Sequence, residues 1–163
     1  MAGLEDLYRE IILDHYRAPR NRGELAVPPA HKVEGFNPLC GDEVVLYIDV
    51  DTDTDTVRDV KIAGQGCSIS QASTSMMSAA VKGKSLEETR RLIRAFKALM
   101  SIHESKLEGE SDGSDLQADL EGVRLGDLEA LQGVVKFPVR IKCATLAWNT
   151  LQQALDESAA ETV

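Results

Sequence analysis

The chain of 163 residues has three cysteines and three histidines, and no two cysteines lie close together. An odd count cannot complete a disulfide framework, and ligands so far apart are not those of a zinc finger, which arrive in close pairs. An excess of positive charge is also missing: 18 Lys and Arg stand against 27 Asp and Glu, a formal net charge of −9. That balance gives no footing for non-specific binding to nucleic acid. No apolar run approaches the roughly 20 residues that a membrane-spanning helix needs. Met1-Ala2-Gly3-Leu4-Glu5-Asp6 lacks the basic start and apolar stretch of a secretory signal. These absences predict a cytoplasmic protein with no nucleic-acid or membrane partner. In a reducing compartment, unpaired cysteines point to metal or thiol chemistry. The length and ordinary composition predict a single domain over 1–163.

Leu4, Leu7, Tyr8, Ile11, Ile12 and His15 fall at spacings of three and four, which predicts a helix over 4–17. Ala18-Pro19-Arg20-Asn21-Arg22-Gly23 ends it. Strands are expected over His31–Phe36, Val44–Val50 and Val57–Ile62. Asp51-Thr52-Asp53-Thr54-Asp55-Thr56 begins like a calcium loop, but the sixth position is not glycine and the twelfth, Ile62, is not glutamate. It reads as a solvated hairpin turn. A helix over 68–82 is dense in small side chains, with Met76 and Met77 as core filler. Ser85-Leu86-Glu87-Glu88 is a capping box opening a helix to about Met100. The acidic, glycine-bearing stretch at about 103–122 predicts a mobile surface insertion. Asp127–Gln132 is a short helix candidate. Phe137-Pro138 marks an extended approach to a last helix over Cys143–Ser158. His15 is expected to pack or hydrogen-bond, and Tyr8, Tyr16 and Trp148 to be core aromatics. His31 and His103 lie in segments without a motif, so a Cys–His protease has no identifiable base.

Each cysteine sits where a thiolate would be useful. Gly41 permits a tight turn that brings Cys40 and Asp42 toward one point, and Gly64 and Gly66 allow close backbone approach before Cys67. Cys67 and Cys143 lie near expected helix N-termini, whose dipole favours thiolate, and Arg140 and Lys142 add positive charge beside Cys143. Three thiolates and the Asp42 carboxylate make a tetrahedral zinc set in which the carboxylate is the harder, more exchangeable ligand. The same four residues could hold an iron–sulfur cluster. Three inert, buried cysteines are the third reading that spacing leaves open.

Asn37-Pro38-Leu39-Cys40-Gly41-Asp42, Gly64-Gln65-Gly66-Cys67-Ser68-Ile69-Ser70 and Arg140-Ile141-Lys142-Cys143-Ala144-Thr145-Leu146-Ala147-Trp148 closely resemble the iron–sulfur assembly family of the IscU/NifU N-terminal type. Leu7-Tyr8, Asp14-His15-Tyr16 and Pro19-Arg20-Asn21 look like that family's opening helix. The resemblance implies an α+β fold, a small antiparallel sheet of about three strands with helices packed on one face and the ligands at one end. The scaffold branch carries a histidine immediately before the third cysteine, where this chain has Lys142. That departure and the acidic insertion resemble the SufU branch of zinc-dependent sulfurtransferases.

The resemblance thus implies zinc on Cys40, Asp42, Cys67 and Cys143, and a pyridoxal-phosphate cysteine desulfurase of the SufS type as partner. It further implies that a partner histidine takes one zinc position on docking. Cys40 is then released to attack the partner's persulfide, with Arg140 steadying the charge. The chain would act as co-substrate and pass the sulfur to downstream iron–sulfur assembly proteins. Two alternatives remain: a scaffold on which a [2Fe–2S] cluster is built with the same ligands, and a non-catalytic zinc-stabilised binding module.

Overall fold

The structure, a computed structural model, describes residues 4–27, 29–39, 41–108, 123 and 125–161. Helix α1 (Leu4–Arg17) leads into a three-stranded antiparallel sheet, β1 (His31–Asn37), β2 (Asp42–Asp51) and β3 (Thr56–Gln65), in the order β1-β2-β3. Helices α2 (Ser68–Val81) and α3 (Leu86–Glu108), a 3-10 segment (Gly126–Lys136) and helix α4 (Pro138–Glu161) follow. This is the expected α+β architecture.

Alternation along β2 sends Val44, Leu46 and Ile48 into the core, because successive side chains leave a strand on opposite faces. Strand β3 buries Val57, Val60 and Ile62, and the first two have opposite parity. A register shift between Asp49 and Val50 reconciles them: Asp49 faces Asp59 and Val50 faces Val57, leaving Arg58 as an extra residue. Such a bulge resets the phase so that both valines point inward. Beyond β3, Ile62 donates its N–H to Asn21 and accepts from Gly23, at 2.9 and 3.0 Å. The Pro19–Gly23 turn therefore covers an edge that would otherwise invite strand pairing.

Helices α2 and α4 lie against the sheet, and α1 and α3 pack on the helical layer. Trp148 of α4 is fully buried and stacked on Phe96 of α3, with ring centroids 4.6 Å apart. Its indole N–H donates to Ser73 Oγ at 3.2 Å, and that hydroxyl donates to the Ala144 carbonyl at 2.6 Å. The small side chains of α2 thus let α4 approach closely and fix its rotation. Met76 and Met77 are buried as expected, whereas Tyr16 is exposed and Tyr8 only half-buried. Tyr16 faces solvent because the buried stripe of α1 runs through Ile12 and His15.

Two helices exceed their expected bounds. The Ser85 hydroxyl accepts the Glu88 N–H at 3.0 Å, so α3 starts at its cap, but it runs on to Glu108. No glycine or proline intervenes before Gly109, and Glu, Lys and Leu favour helix. Residues 103–108 are thus helical, and the remainder of the expected insertion, 109–122, lies outside the described residues. Helix α4 starts at Pro138, five residues before Cys143. Only Phe137 is extended there; proline lacks the N–H that a first helical position leaves unused. The short helix expected at 127–132 is the longer 3-10 segment.

His15 is buried and joins three elements: Nδ1 bonds Ser75 Oγ of α2 and Nε2 bonds Asp127 Oδ2 of the 3-10 segment, both at 2.8 Å. His15→Ala is expected to cost about 1–3 kcal/mol by removing two hydrogen bonds and leaving a cavity where a buried imidazole packs. Urea unfolding of the two proteins checks this, and an unchanged midpoint would remove the tie from the account of stability.

Candidate metal site

The chain leaves the sheet at Asn37 and re-enters at Asp42, its register partner, so the connection over 38–41 closes one end of the β1–β2 pair. Asp42 is fully buried. Gly41 has a φ of 67°, in the left-handed region that glycine enters without a side-chain clash. The expected tight turn is present on that side. Cys40 itself lies outside the described residues.

Strand β3 delivers Cys67 to the same end. Gly66 passes directly over Asp42: a Cβ built on it would lie 2.4 Å from Asp42 Oδ1 and 3.0 Å from Asp42 Cα. Only a residue without a side chain lets the backbone come this close. The approach delivers the Cys67 N–H to Asp42 Oδ1 at 2.8 Å. Cys67 Sγ stands 3.7 Å from Oδ2, and as N-cap of α2 it accepts the Ser70 N–H at 3.4 Å. The expectation of a thiol at a helix N-terminus therefore holds for Cys67.

For Cys143 the expectation needs correction. Because α4 begins at Pro138, Cys143 sits in its second turn, with Sγ 3.8 Å from the Val139 carbonyl. The unpaired N–H groups of a helix start belong to its first turn, which lies before this residue. Position brings Cys143 to the site: it is fully buried, and its neighbour Ala144 is bonded to α2 through Ser73. Arg140 and Lys142 are exposed, Arg140 in the first turn of α4.

Single donor atoms of Asp42, Cys67 and Cys143 all lie within 4.8 Å of one another. Tetrahedral zinc with bonds of about 2.3 Å to sulfur places its ligand atoms roughly 3.7 Å apart, so a small contraction would close this set on an ion. Two sulfurs and one carboxylate, largely withdrawn from water, could hold a metal ion, and the chemistry of the set suits a thiophilic dication. Three separated segments supply it: the start of β2, the cap of α2 and the second turn of α4. Asn37 and Ser70 border the set and were not among the residues singled out from the sequence.

Among the described residues, no helix is long and apolar enough to cross a membrane. The chain matches the NifU-like N terminal domain family over residues 7–144. It is 43% identical to the zinc-dependent sulfurtransferase SufU of Bacillus subtilis, over 94% of this chain and 92% of that protein. It is 40% identical to the iron–sulfur cluster assembly scaffold protein IscU of Streptococcus pyogenes serotype M1, over 98% and 89%. The crystal structure of FiSufU, a SUF-system protein from Fervidobacterium islandicum AW-1, superposes with a TM-score of 0.71 at 34% identity, covering 94% of this chain and 99% of that one. With the fold, the order of the ligand segments and the family match in agreement, this chain belongs to the NifU-like N-terminal domain family of iron–sulfur cluster assembly proteins.

Proposed function

We propose that this chain is a zinc-dependent sulfurtransferase that accepts persulfide sulfur from a pyridoxal-phosphate cysteine desulfurase of the SufS type and relays it to iron–sulfur cluster assembly. The observation that carries the reading is the convergence of Asp42, Cys67 and Cys143 at the Asp42 end of the β1–β2 pair. The match to SufU of Bacillus subtilis over nearly the whole chain supports it. The fourth ligand in this reading is Cys40. Bound zinc would keep the thiols as thiolates near neutral pH.

The chain's own residues divide the work. Cys40 thiolate attacks the outer sulfur of the partner's cysteine persulfide. A sulfur–sulfur bond forms on Cys40 as the partner's breaks, and the partner cysteine leaves as a thiolate, with no net oxidation or reduction. Asp42 and Cys67, locked together by the N–H to carboxylate bond, hold their side of the site rigid. Arg140, exposed one helical turn before Cys143, supplies positive charge for the released thiolate or persulfide. Apolar side chains around the site favour a protein partner. Phe36, Leu39, Phe137 and Val139 are each more than half exposed and flank the two segments that bear Cys40 and Cys143. The single-domain organisation over 1–163 belongs to the same proposal.

Desulfurase turnover with zinc-loaded and with metal-free protein as acceptor tests the reading. Stimulation is expected from the zinc form alone. Equal stimulation by metal-free protein, followed by uptake of iron and sulfide into a transferable [2Fe–2S] cluster, would establish the scaffold reading instead. The match to IscU of Streptococcus pyogenes keeps that alternative in view. Lys142, standing where the scaffold branch has histidine, weighs against it.

A further inference from the structure

Two buried side-chain atoms among the described residues have no hydrogen-bond partner, Nδ2 of Asn37 and Oγ of Ser70. Protein interiors pair nearly all such atoms, so each orphan calls for a partner. Both border the candidate metal site. Asn37 is the register partner of Asp42 in the antiparallel pair β1–β2. Residues directly opposite in such a pair project from the same face, so Asn37 and Asp42 share one face at this end of the sheet. Its Oδ1 already accepts the Leu39 N–H at 3.2 Å, which leaves Nδ2 as a spare donor. Ser70 is fully buried in the first turn of α2, and its backbone N–H bonds Cys67 Sγ. Ser73, one turn on along the same helix face, bonds the carbonyl of Ala144, next to Cys143. The orphan hydroxyl therefore lies on the stripe of α2 that runs from one thiol toward the other.

The chemistry of the site supplies what these donors lack. Three thiolates and a carboxylate around a dication sum to −2, and burying that charge requires hydrogen-bond donors. We infer that Asn37 Nδ2 and Ser70 Oγ are positioning donors to the anionic ligand atoms, Asn37 on the carboxylate side and Ser70 on the thiolate side. This rests on the metal-site reading above and extends it to two residues outside the ligand set.

The test compares the unsubstituted chain with Ser70→Ala, Ser70→Thr and Asn37→Asp. Zinc affinity is read by competition with a chromophoric chelator, thiolate environment by the charge-transfer band of the cobalt(II) form, and stability by the melting of metal-free protein. Ser70→Ala is expected to bind zinc about 10- to 100-fold more weakly, the usual loss when a ligand's supporting partner is removed. Its cobalt band should move to lower energy as a thiolate loses a hydrogen bond. Metal-free Ser70→Ala should melt no lower than the unsubstituted chain, because an unpaired buried hydroxyl has been removed. Ser70→Thr, which keeps the hydroxyl, should restore the band. Asn37→Asp keeps the acceptor for Leu39 but exchanges the spare donor for an acceptor, and should lose at least about 10-fold in affinity. Unchanged affinity and cobalt spectrum in Ser70→Ala and Asn37→Asp would overturn the inference while leaving the metal site standing. A lower melting temperature of Ser70→Ala without loss of affinity would also overturn it, by showing a structural hydroxyl. An unsubstituted chain that takes up neither zinc nor cobalt would remove the metal-site reading and this inference together.

Discussion

Cys40→Ala, loaded with zinc to the same occupancy as the unsubstituted protein, is expected to leave desulfurase turnover at the rate measured with no acceptor present. The loss is complete because no other residue takes over the attack. Cys143 is fully buried, and Cys67 has its sulfur engaged by the Ser70 N–H and facing Asp42. Asp42, Cys67 and Cys143 remain as donors in the variant, so it still takes up metal, though more weakly. Retained metal with lost turnover is the signature of a nucleophile. A zinc-stabilised binding module predicts the reverse, with affinity and stability falling and sulfur acceptance unchanged once the metal is restored. Stimulation by the variant above the no-acceptor rate by more than about one tenth of that given by the unsubstituted protein would exclude Cys40 as the attacking group.

Gly66→Ala should collapse the site from a position that touches no metal. The added methyl would stand 3.0 Å from Asp42 Cα, a backbone atom that cannot swing aside, and closer still to Oδ1. The φ of 153° at this position is itself unfavourable for a residue with a side chain. Backbone strain together with loss of the Cys67 N–H to Asp42 bond is expected to cost about 3–5 kcal/mol. The carboxylate must move and carry the cap of α2 with it. Zinc bound per chain should fall well below one, and the urea midpoint should fall with it. If Gly66→Ala instead binds stoichiometric zinc with an unchanged midpoint, the close approach of β3 to Asp42 is not what builds the site.

Much of this molecule can be read before folding. The three-and-four spacing of apolar residues places α1, the β-branched and aromatic run over 44–50 places β2, and the alternation of Val60 and Ile62 places β3. Glycines beside Cys40 and Cys67 announce tight geometry, and both Gly41 and Gly66 hold positive φ. Local signals did less well at helix ends. Helix α3 outran its expected stop because nothing between Met100 and Gly109 breaks a helix. Helix α4 began earlier than expected because Pro138, read as a break, is its first residue.

The identities of the ligands and their order along the chain are thus properties of the sequence, fixed by residue chemistry and by turns of a few residues. Their convergence is a tertiary matter. Cys143 meets Cys67 because Trp148 and Ser73 set the rotation of α4 against α2, a contact between residues 75 positions apart. Asp42 meets Cys67 across 25 positions because the β2–β3 hairpin folds the start of one strand onto the end of the next. The unpaired donors of Asn37 and Ser70 emerge only there as well. Whether a polar atom has a partner depends on everything packed around it, and no local pattern of residues records that.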